Sequence, residues 1–254
     1  MKVTFLGTGT SSGVPMIACP CPVCQSPDRR DKRLRSSVLV QIDGLHIVID
    51  TTPDFRYQML RAGVMQLDAI LITHPHKDHI AGMDDVRAYN YFQQAPVDVY
   101  ATESTQQVIR TEFPYAFAEK KYPGVPEIRL KAIGGDPFEI QGVPIHPIQV
   151  MHHQMPVLGF RIGDFTYITD ANHIASSEHS KISGTRALVL NALRREKHIS
   201  HFNLSEAIDM SRKLGHPQTW LTHISHQLGL HAEVEAQLPE GIHLAYDNLE
   251  LEPD

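Results

Sequence analysis

Apolar residues fall along this chain in short runs, alternating with turns rich in Gly, Pro and Asp. Runs of this length read as strands. Lys2 to Leu6 is the first. Ser37 to Ile42 and Leu45 to Asp50 flank Asp43-Gly44, a favoured two-residue hairpin turn. Pro53 to Ala62 reads as a helix with Pro in its first turn and Gly63 as its stop. The run Asp68-Ala69-Ile70-Leu71-Ile72-Thr73 is a buried strand. Ile80 to Phe92 predicts a helix, Pro96 to Ala101 a strand and Ser104 to Thr111 a helix. Strands follow at Ile128 to Ile133, Phe138 to Gln141 and Val143 to Val150.

A second hairpin pairs Val157 to Ile162 with Phe165 to Asp170 across Gly163-Asp164. Arg186 to Leu190 is another buried strand. Leu204 to Leu214 has helical spacing, opened by Asn203 and closed by Gly215. Thr219 to Thr222 is a strand, His231 to Leu238 a short helix and Ile242 to Leu251 a last strand. Hairpin, helix, strand and polar loop occur once in each half. This predicts an α/β fold of two packed sheets with helices outside, as one domain over 1–254. Phe113 to Pro126 is irregular and aromatic, the profile of a lid, an interface or a packed loop.

Charge and composition narrow the classes. The 254 residues carry 42% hydrophobic and 20% charged positions and a formal charge of -6. A global basic footprint for nucleic acid is missing, and no apolar run reaches membrane length. Met1 to Gly7 reads as a first strand, so the cytoplasm is the expected location. The telling excess is 16 His, since neutral imidazole is the commonest metal ligand.

The excess has a focus at His74-Pro75-His76-Lys77-Asp78-His79, directly after a strand. His74 and His76 point the same way in extended backbone, while Asp78 and His79 follow a turn and can face a second point. His152, Asp170 and His223 lie at other predicted strand ends. If their loops share one rim, His74, His76, Asp78, His79, His152, Asp170 and His223 form a two-metal site, with Asp170 suited to bridging. Zn²⁺, Mn²⁺ and Fe²⁺ all accept imidazole with carboxylate, and such a pair performs hydrolysis. The three cysteines, Cys19, Cys21 and Cys24, are tightly clustered and odd in number. They suit one metal with a fourth ligand from elsewhere rather than disulfides. Gly7-Thr8-Gly9-Thr10 lacks the helix start of a dinucleotide fingerprint and reads as a tight turn or a phosphate contact.

In these motifs the chain resembles the metallo-β-lactamase superfamily, whose fold is a four-layer αβ/βα sandwich with a dinuclear site at one edge. The resemblance runs from Gly7 to Asp247. It implies that His74, His76, His152 and Asp170 hold the first metal and that Asp78, His79, Asp170 and His223 hold the second. It also implies that Asp50 orients ligand histidines. Of His152 and His153, the strand-to-ligand run favours His152. Within the superfamily the CxCxxC run resembles the phosphodiesterases of the carbon–phosphorus lyase pathway, which open phosphoribosyl cyclic phosphate. That likeness implies a structural zinc on Cys19, Cys21, Cys24 and His226. His201 matches a non-ligand histidine that, protonated, would stabilise negative charge or protonate a leaving oxygen. Asp78 and His201 are therefore the expected catalytic residues. His198 is the less favoured alternative for the role of His201, and His46, His146, His173, His179, His216, His231 and His243 are expected to be structural or solvent-facing.

The expected function is a phosphodiesterase for a small cyclic or nucleotide-like phosphate, with two Mn or Zn ions and one structural Zn. The expected partner is that small molecule, with no membrane or nucleic acid, and a homodimer through the aromatic stretch is compatible. A transfer-RNA 3′-end nuclease should carry a long basic arm, and none is present. A thioester or lactone hydrolase of the same fold is the other enzyme reading. A metal-binding scaffold with a vestigial site conflicts with a full ligand set.

Overall fold

The computed structural model describes residues 1–215 and 218–253. His216 therefore lies outside the described residues. The first sheet is built from β1 (Lys2–Gly7), β2 (Ser37–Ile42), β3 (Leu45–Ile49), β4 (Ala69–Leu71), β5 (Val97–Ala101) and β6 (Ile128–Ala132). The second holds β7 (Phe138–Ile140), β8 (Val143–His152), β9 (Met155–Ile162), β10 (Phe165–Tyr167), β11 (His173–Ile174), β12 (Ala187–Asn191), β13 (Thr219–Thr222) and β14 (Ile242–Leu244). The last strand, β15 (Glu250–Leu251), returns to the first sheet beside β1.

The two sheets share one plan. β1, β2 and β3 pair antiparallel, and β3 to β6 run parallel. β8, β9 and β10 pair antiparallel, and β10, β12, β13 and β14 run parallel. Strand alternation explains the layers, because successive side chains point to opposite faces. Val38 and Val40 of β2 and Ile47 and Ile49 of β3 meet Phe160, Phe165, Tyr167 and Val189 of the second sheet in a central core. Leu39, Val48 and Ile70 point outward and pack under helices. Leu188 and Leu190 do the same on the far side. Each sheet is thus apolar on both faces, and helices cover both outer faces. This is the four-layer αβ/βα metallo-β-lactamase sandwich.

The helices that matter for the site are α1 (Pro22–Gln25), α2 (Phe55–Ala62), α3 (Lys77–Ile80), α4 (Arg87–Gln93), α5 (Glu103–Glu112), α6 (Pro114–Phe117), α7 (His179–Ile182), α8 (Leu204–Lys213) and α9 (His231–Glu235). Local signals place their ends. Gly63 stops α2 in the left-handed conformation, and Asn203 with Glu206 forms a capping box on α8.

Three sequence expectations are corrected. The helix expected over Ile80 to Phe92 is broken into the end of α3, a 3-10 turn at Met83–Val86, and α4. The break lets Gly82 press on the neighbouring loop: a Cβ there would lie 2.0 Å from the Thr52 carbonyl oxygen. The strand expected over Ile242 to Leu251 is two strands in different sheets, because residues 245–249 cross between them while Asp247 anchors Thr8. The aromatic stretch contains one helical turn, α6. Its Tyr115 hydroxyl donates to Asp84, and Glu112 at the end of α5 pairs with Lys77 of the metal-loop motif.

Gly82→Ala is expected to lower unfolding free energy by about 1–3 kcal/mol through overpacking against backbone. Urea denaturation checks it, and an unchanged midpoint would show that the turn yields freely.

Candidate metal centre

Parallel strands and hairpins deliver the polar residues to one rim. β3 ends at Asp50, β4 leads into His74, β8 ends at His152, β10 leads to Asp170, and β13 leads to His223. Three of these residues take left-handed backbone: Asp50 at φ 67°, Asp170 at φ 54° and His223 at φ 56°. Such strain in non-glycine residues concentrates at functional sites.

The donor atoms collect into three groups, in each of which all lie within 4.8 Å of one another. One holds His74, His76, His152 and Asp170, the second Asp78, His79, Asp170 and His223, and the third Cys19, Cys21, Cys24 and His226. Asp170 belongs to two. Its Oδ2 lies 3.6 Å from His74 Nε2 and 3.5 Å from His79 Nε2, and its Oδ1 is 2.9 Å from His223 Nδ1.

Hydrogen bonds aim the rings. Asp50, fully buried, accepts from the Thr73 backbone N–H at 2.9 Å and from His79 Nδ1 at 2.7 Å. That leaves His79 Nε2 facing Asp78 at 3.3 Å and Asp170. His152 Nδ1–H donates to the Ser200 carbonyl at 2.9 Å, freeing Nε2 for the centre. Asn172 joins the two loops: its side chain accepts from the His153 N–H and donates to the Ile199 carbonyl, both at 2.9 Å. His153 stays outside, exposed, at φ 56°. The Thr10 hydroxyl lies 3.3 Å from His223 Nε2.

Electrostatics follow from burial among carboxylates. Burial works against charge on His79, yet Asp50, Asp170 and Asp78 hold its imidazole well above the usual range. Burial likewise opposes charge on Asp170, and His223 and His79 outweigh it, keeping the carboxyl well below the usual range. Burial pushes His74 and His152 down, toward the neutral, ligating form. His79 Nε2 and His223 Nδ1 are buried against carboxylate oxygens without a well-aligned hydrogen bond among the described residues. Imidazole nitrogens converging with carboxylates in this way are what a cation would satisfy, so the residues fit a metal centre.

His201 sits at the same rim, stacked on His223 with ring centroids 4.9 Å apart and edge-on to His152 at 4.6 Å. Burial and the neighbouring His223 push its pKa down to about 3. Burial thus works against the imidazolium expected from the sequence. His198 lies 5.1 Å away, farther from the ligands.

The cysteine group is anchored by backbone. Cys21 Sγ accepts from the Cys24 N–H at 3.4 Å, Cys24 Sγ accepts from the Met16 N–H at 3.4 Å, and His226 Nδ1 stands 3.4 Å from Cys19 Sγ and 3.3 Å from Cys21 Sγ. The hydrogen bonds from Cys24 and His226 pull the Cys21 thiol down to about 6, and burial pushes Cys24 up to about 11. The Gly7-to-Thr10 loop is a close-packing device rather than a phosphate cradle. A Cβ on Gly7 would lie 2.0 Å from the Arg35 carbonyl oxygen, and Gly9 bridges both Arg35 and Ile224. Arg56 lines a groove beside α2 that none of the donor residues enters.

Sequence reasoning did not single out Thr73, Ser200 or Asn172. Ser200 works through its backbone, which carries no residue-type signal. Thr73 directly precedes His74 and Asn172 lies two residues after Asp170, the one cue available.

Comparison with known proteins agrees with this geometry. The beta-lactamase superfamily domain matches residues 46–224. An octanoyltransferase of Porphyromonas gingivalis is 42% identical over 253 residues, which is 98% of this chain and 51% of that protein. The chain thus spans about half the length of that curated relative. A solved diphosphatase of the PhnP family superposes with a TM-score of 0.92 at 41% identity, covering 99% of this chain and 97% of the other. Zn²⁺-bound PqqB from Methylobacterium extorquens shares the fold, with a TM-score of 0.78 at 20% identity over 99% of this chain and all of that one. With its whole length matched by the diphosphatase and its rim built from the same class of fold, the chain belongs to the beta-lactamase superfamily and, within it, to the PhnP family.

Proposed function

We propose that the protein is a metal-dependent phosphodiesterase that hydrolyses a small cyclic or nucleotide-like phosphate. The observation that carries the reading is Asp170, whose carboxylate faces His74 and His79 on one oxygen and His223 on the other. One divalent ion, Mn or Zn, would be held by His74, His76, His152 and Asp170, and a second by Asp78, His79, Asp170 and His223. Such a pair supplies Lewis acidity toward a phosphoryl oxygen and a water acidified toward neutrality. The chain's own residues hold the rest in place. Asp50 and the Ser200 carbonyl fix the tautomers of His79 and His152. His201, neutral and beside both His152 and His223, offers an N–H to a phosphoryl or leaving oxygen.

The diphosphatase at 41% identity supports reaction at phosphorus. The acyl chemistry in the name of the P. gingivalis relative belongs to a protein about twice this length. A formal charge of -6 fits a small-molecule substrate better than transfer RNA. Cys19, Cys21, Cys24 and His226 would make a closed site for a structural Zn. No helix is long and apolar enough to cross a membrane among the described residues.

With Mn²⁺ added, bis-p-nitrophenyl phosphate should be turned over, Asp78→Ala should reduce turnover to background, and His201→Ala should slow it about 10²-fold. Full activity in the Asp78 variant would defeat the ligand assignment. Faster cleavage of an octanoyl thioester than of any phosphodiester in a cyclic-phosphate and nucleotide panel would replace the phosphodiester reading.

Metal analysis should return about three ions per chain, as two open catalytic positions plus one closed site require. Cys21→Ala should lose one ion and melt earlier while retaining turnover. Lost turnover at an unchanged melting temperature would contradict a structural role.

In protein stripped by chelator, alkylation of Cys21 should rise through about pH 6, with Cys24 protected until about pH 11. The lowered pKa places the thiolate at neutral pH, so the rise lies on the acid side of an ordinary thiol. Peptide mass spectrometry reads this, and a Cys21 that alkylates only above pH 8 would overturn it.

A further inference from the structure

The loop between β12 and α8 leaves the second sheet after Asn191 and carries His198 and His201 to the rim. Backbone fixes its base. The Leu193 N–H donates to the Phe202 carbonyl at 3.0 Å, the Phe202 N–H to the Ala171 carbonyl at 2.7 Å, and the Leu204 N–H to the Arg194 carbonyl at 2.9 Å. The tip is held differently. Lys197 and Ile199 face solvent, Ile199 with 72% exposure, so apolar burial does little to hold residues 197–200. The contacts of Arg194 with Lys197 and of Ser200 with His198 lie within the loop and cannot fix it against the rim. Among the described residues, two hydrogen bonds reach the tip from outside, on successive carbonyls. His152 Nδ1 donates to Ser200 and Asn172 Nδ2 donates to Ile199, both at 2.9 Å. The next residue is His201.

The two clamps differ in kind. His152 belongs to the donor cluster, whereas Asn172 belongs to none of the three groups. Asn172 is nonetheless firmly placed. Its N–H donates to the Met151 carbonyl at 2.8 Å, and its side-chain oxygen accepts from the His153 N–H at 2.9 Å. Its amide meets one backbone donor and one backbone acceptor, so only one orientation satisfies both. Just beyond it, His173 and Ile174 pair with Met151 and Val150, which keeps Asn172 flush with the strand that ends at His152. Asn172 therefore spans three segments: the loop from Asp170, the turn after His152, and the tip that leads to His201. An ionised aspartate could make only the first of the two side-chain bonds, since it accepts and does not donate.

We propose that Asn172 is a positioning residue for His201, holding the Ile199 carbonyl so that the imidazole stays stacked on His223 and edge-on to His152. The inference rests on the reading that His201 takes part in the reaction. A group that acts on the reacting atoms must be closely placed, and a shift of about 1 Å can cost roughly 10²-fold in rate. Removing one of two clamps leaves the His152 bond, so the loss should be smaller than that from removing His201 itself.

A double-mutant cycle on the metal-loaded chain tests this, with bis-p-nitrophenyl phosphate as substrate. Asn172→Ala should lower kcat about tenfold at nearly constant KM. In a His201→Ala background the same change should cost less than about twofold, because the group it positions is gone. Asn172→Asp keeps the acceptor for His153 and loses the donor to Ile199, so it should slow turnover as Asn172→Ala does. Metal content should match wild type throughout. Amide hydrogen exchange followed by NMR reads the placement without substrate: residues 198–203 should exchange about tenfold faster in both variants, while the His153 amide stays protected in Asn172→Asp. Equal losses with and without His201, full turnover in Asn172→Asp, lost metal, or unchanged exchange over 198–203 would each overturn the proposal. A wild type that leaves the diester intact would end the phosphodiester reading alone, and the exchange rates would still decide whether Asn172 holds the loop.

Discussion

The carboxylate of Asp170 is the point where the two halves of the chain meet. It arises from the second sheet, yet it faces His74 and His79 from the first. A buried carboxylate is tolerated only with compensating partners close by, and a wrong sheet register would strand it at a cost of several kcal/mol. The central core sets the distance between the sheets, and the strand ends set the height of each loop. Both must hold for the carboxylate to find imidazoles on either side. The rim therefore depends on global packing more than on any one loop.

Much of this was legible in residue order. The hairpins, the strands that precede each ligand and the duplicated plan all follow from period-two alternation and turn chemistry, which are local. The sets that share Asp170 came from the family resemblance, and the structure brings the same residues together. What escaped was of three kinds. Ser200 acts through a carbonyl, and no side chain announces that. The break at Gly82 and the split of the last strand are set by contacts with distant segments, the Thr52 carbonyl and the first sheet, so a helical or strand-like pattern ran on through them. His201 shows a third limit. Its position could be read, but its charge depends on burial beside His223, which only tertiary packing decides.

Asp50, Asp170 and His223 all occupy left-handed backbone, a conformation that costs non-glycine residues of order 1 kcal/mol or more each. All three close a strand into the rim. In that conformation Asp170 and His223 join the donor cluster and Asp50 holds the ring of His79. The surrounding packing, with Thr73 on Asp50 and Thr169 on Asp170, holds it in place.

The cysteine cluster has an effect that reaches beyond its own loop. Cys19 and His226 touch although they stand 207 positions apart. One cation tying sulfur to imidazole would close the chain into a ring that includes most strands of both sheets and all seven residues of the proposed two-metal site. By the loop-entropy relation for cross-links, a ring of that size removes about 5 kcal/mol of freedom from the unfolded chain. The knuckle would then act as a removable cross-link, set and released by metal supply, in a chain whose cysteines form no disulfide.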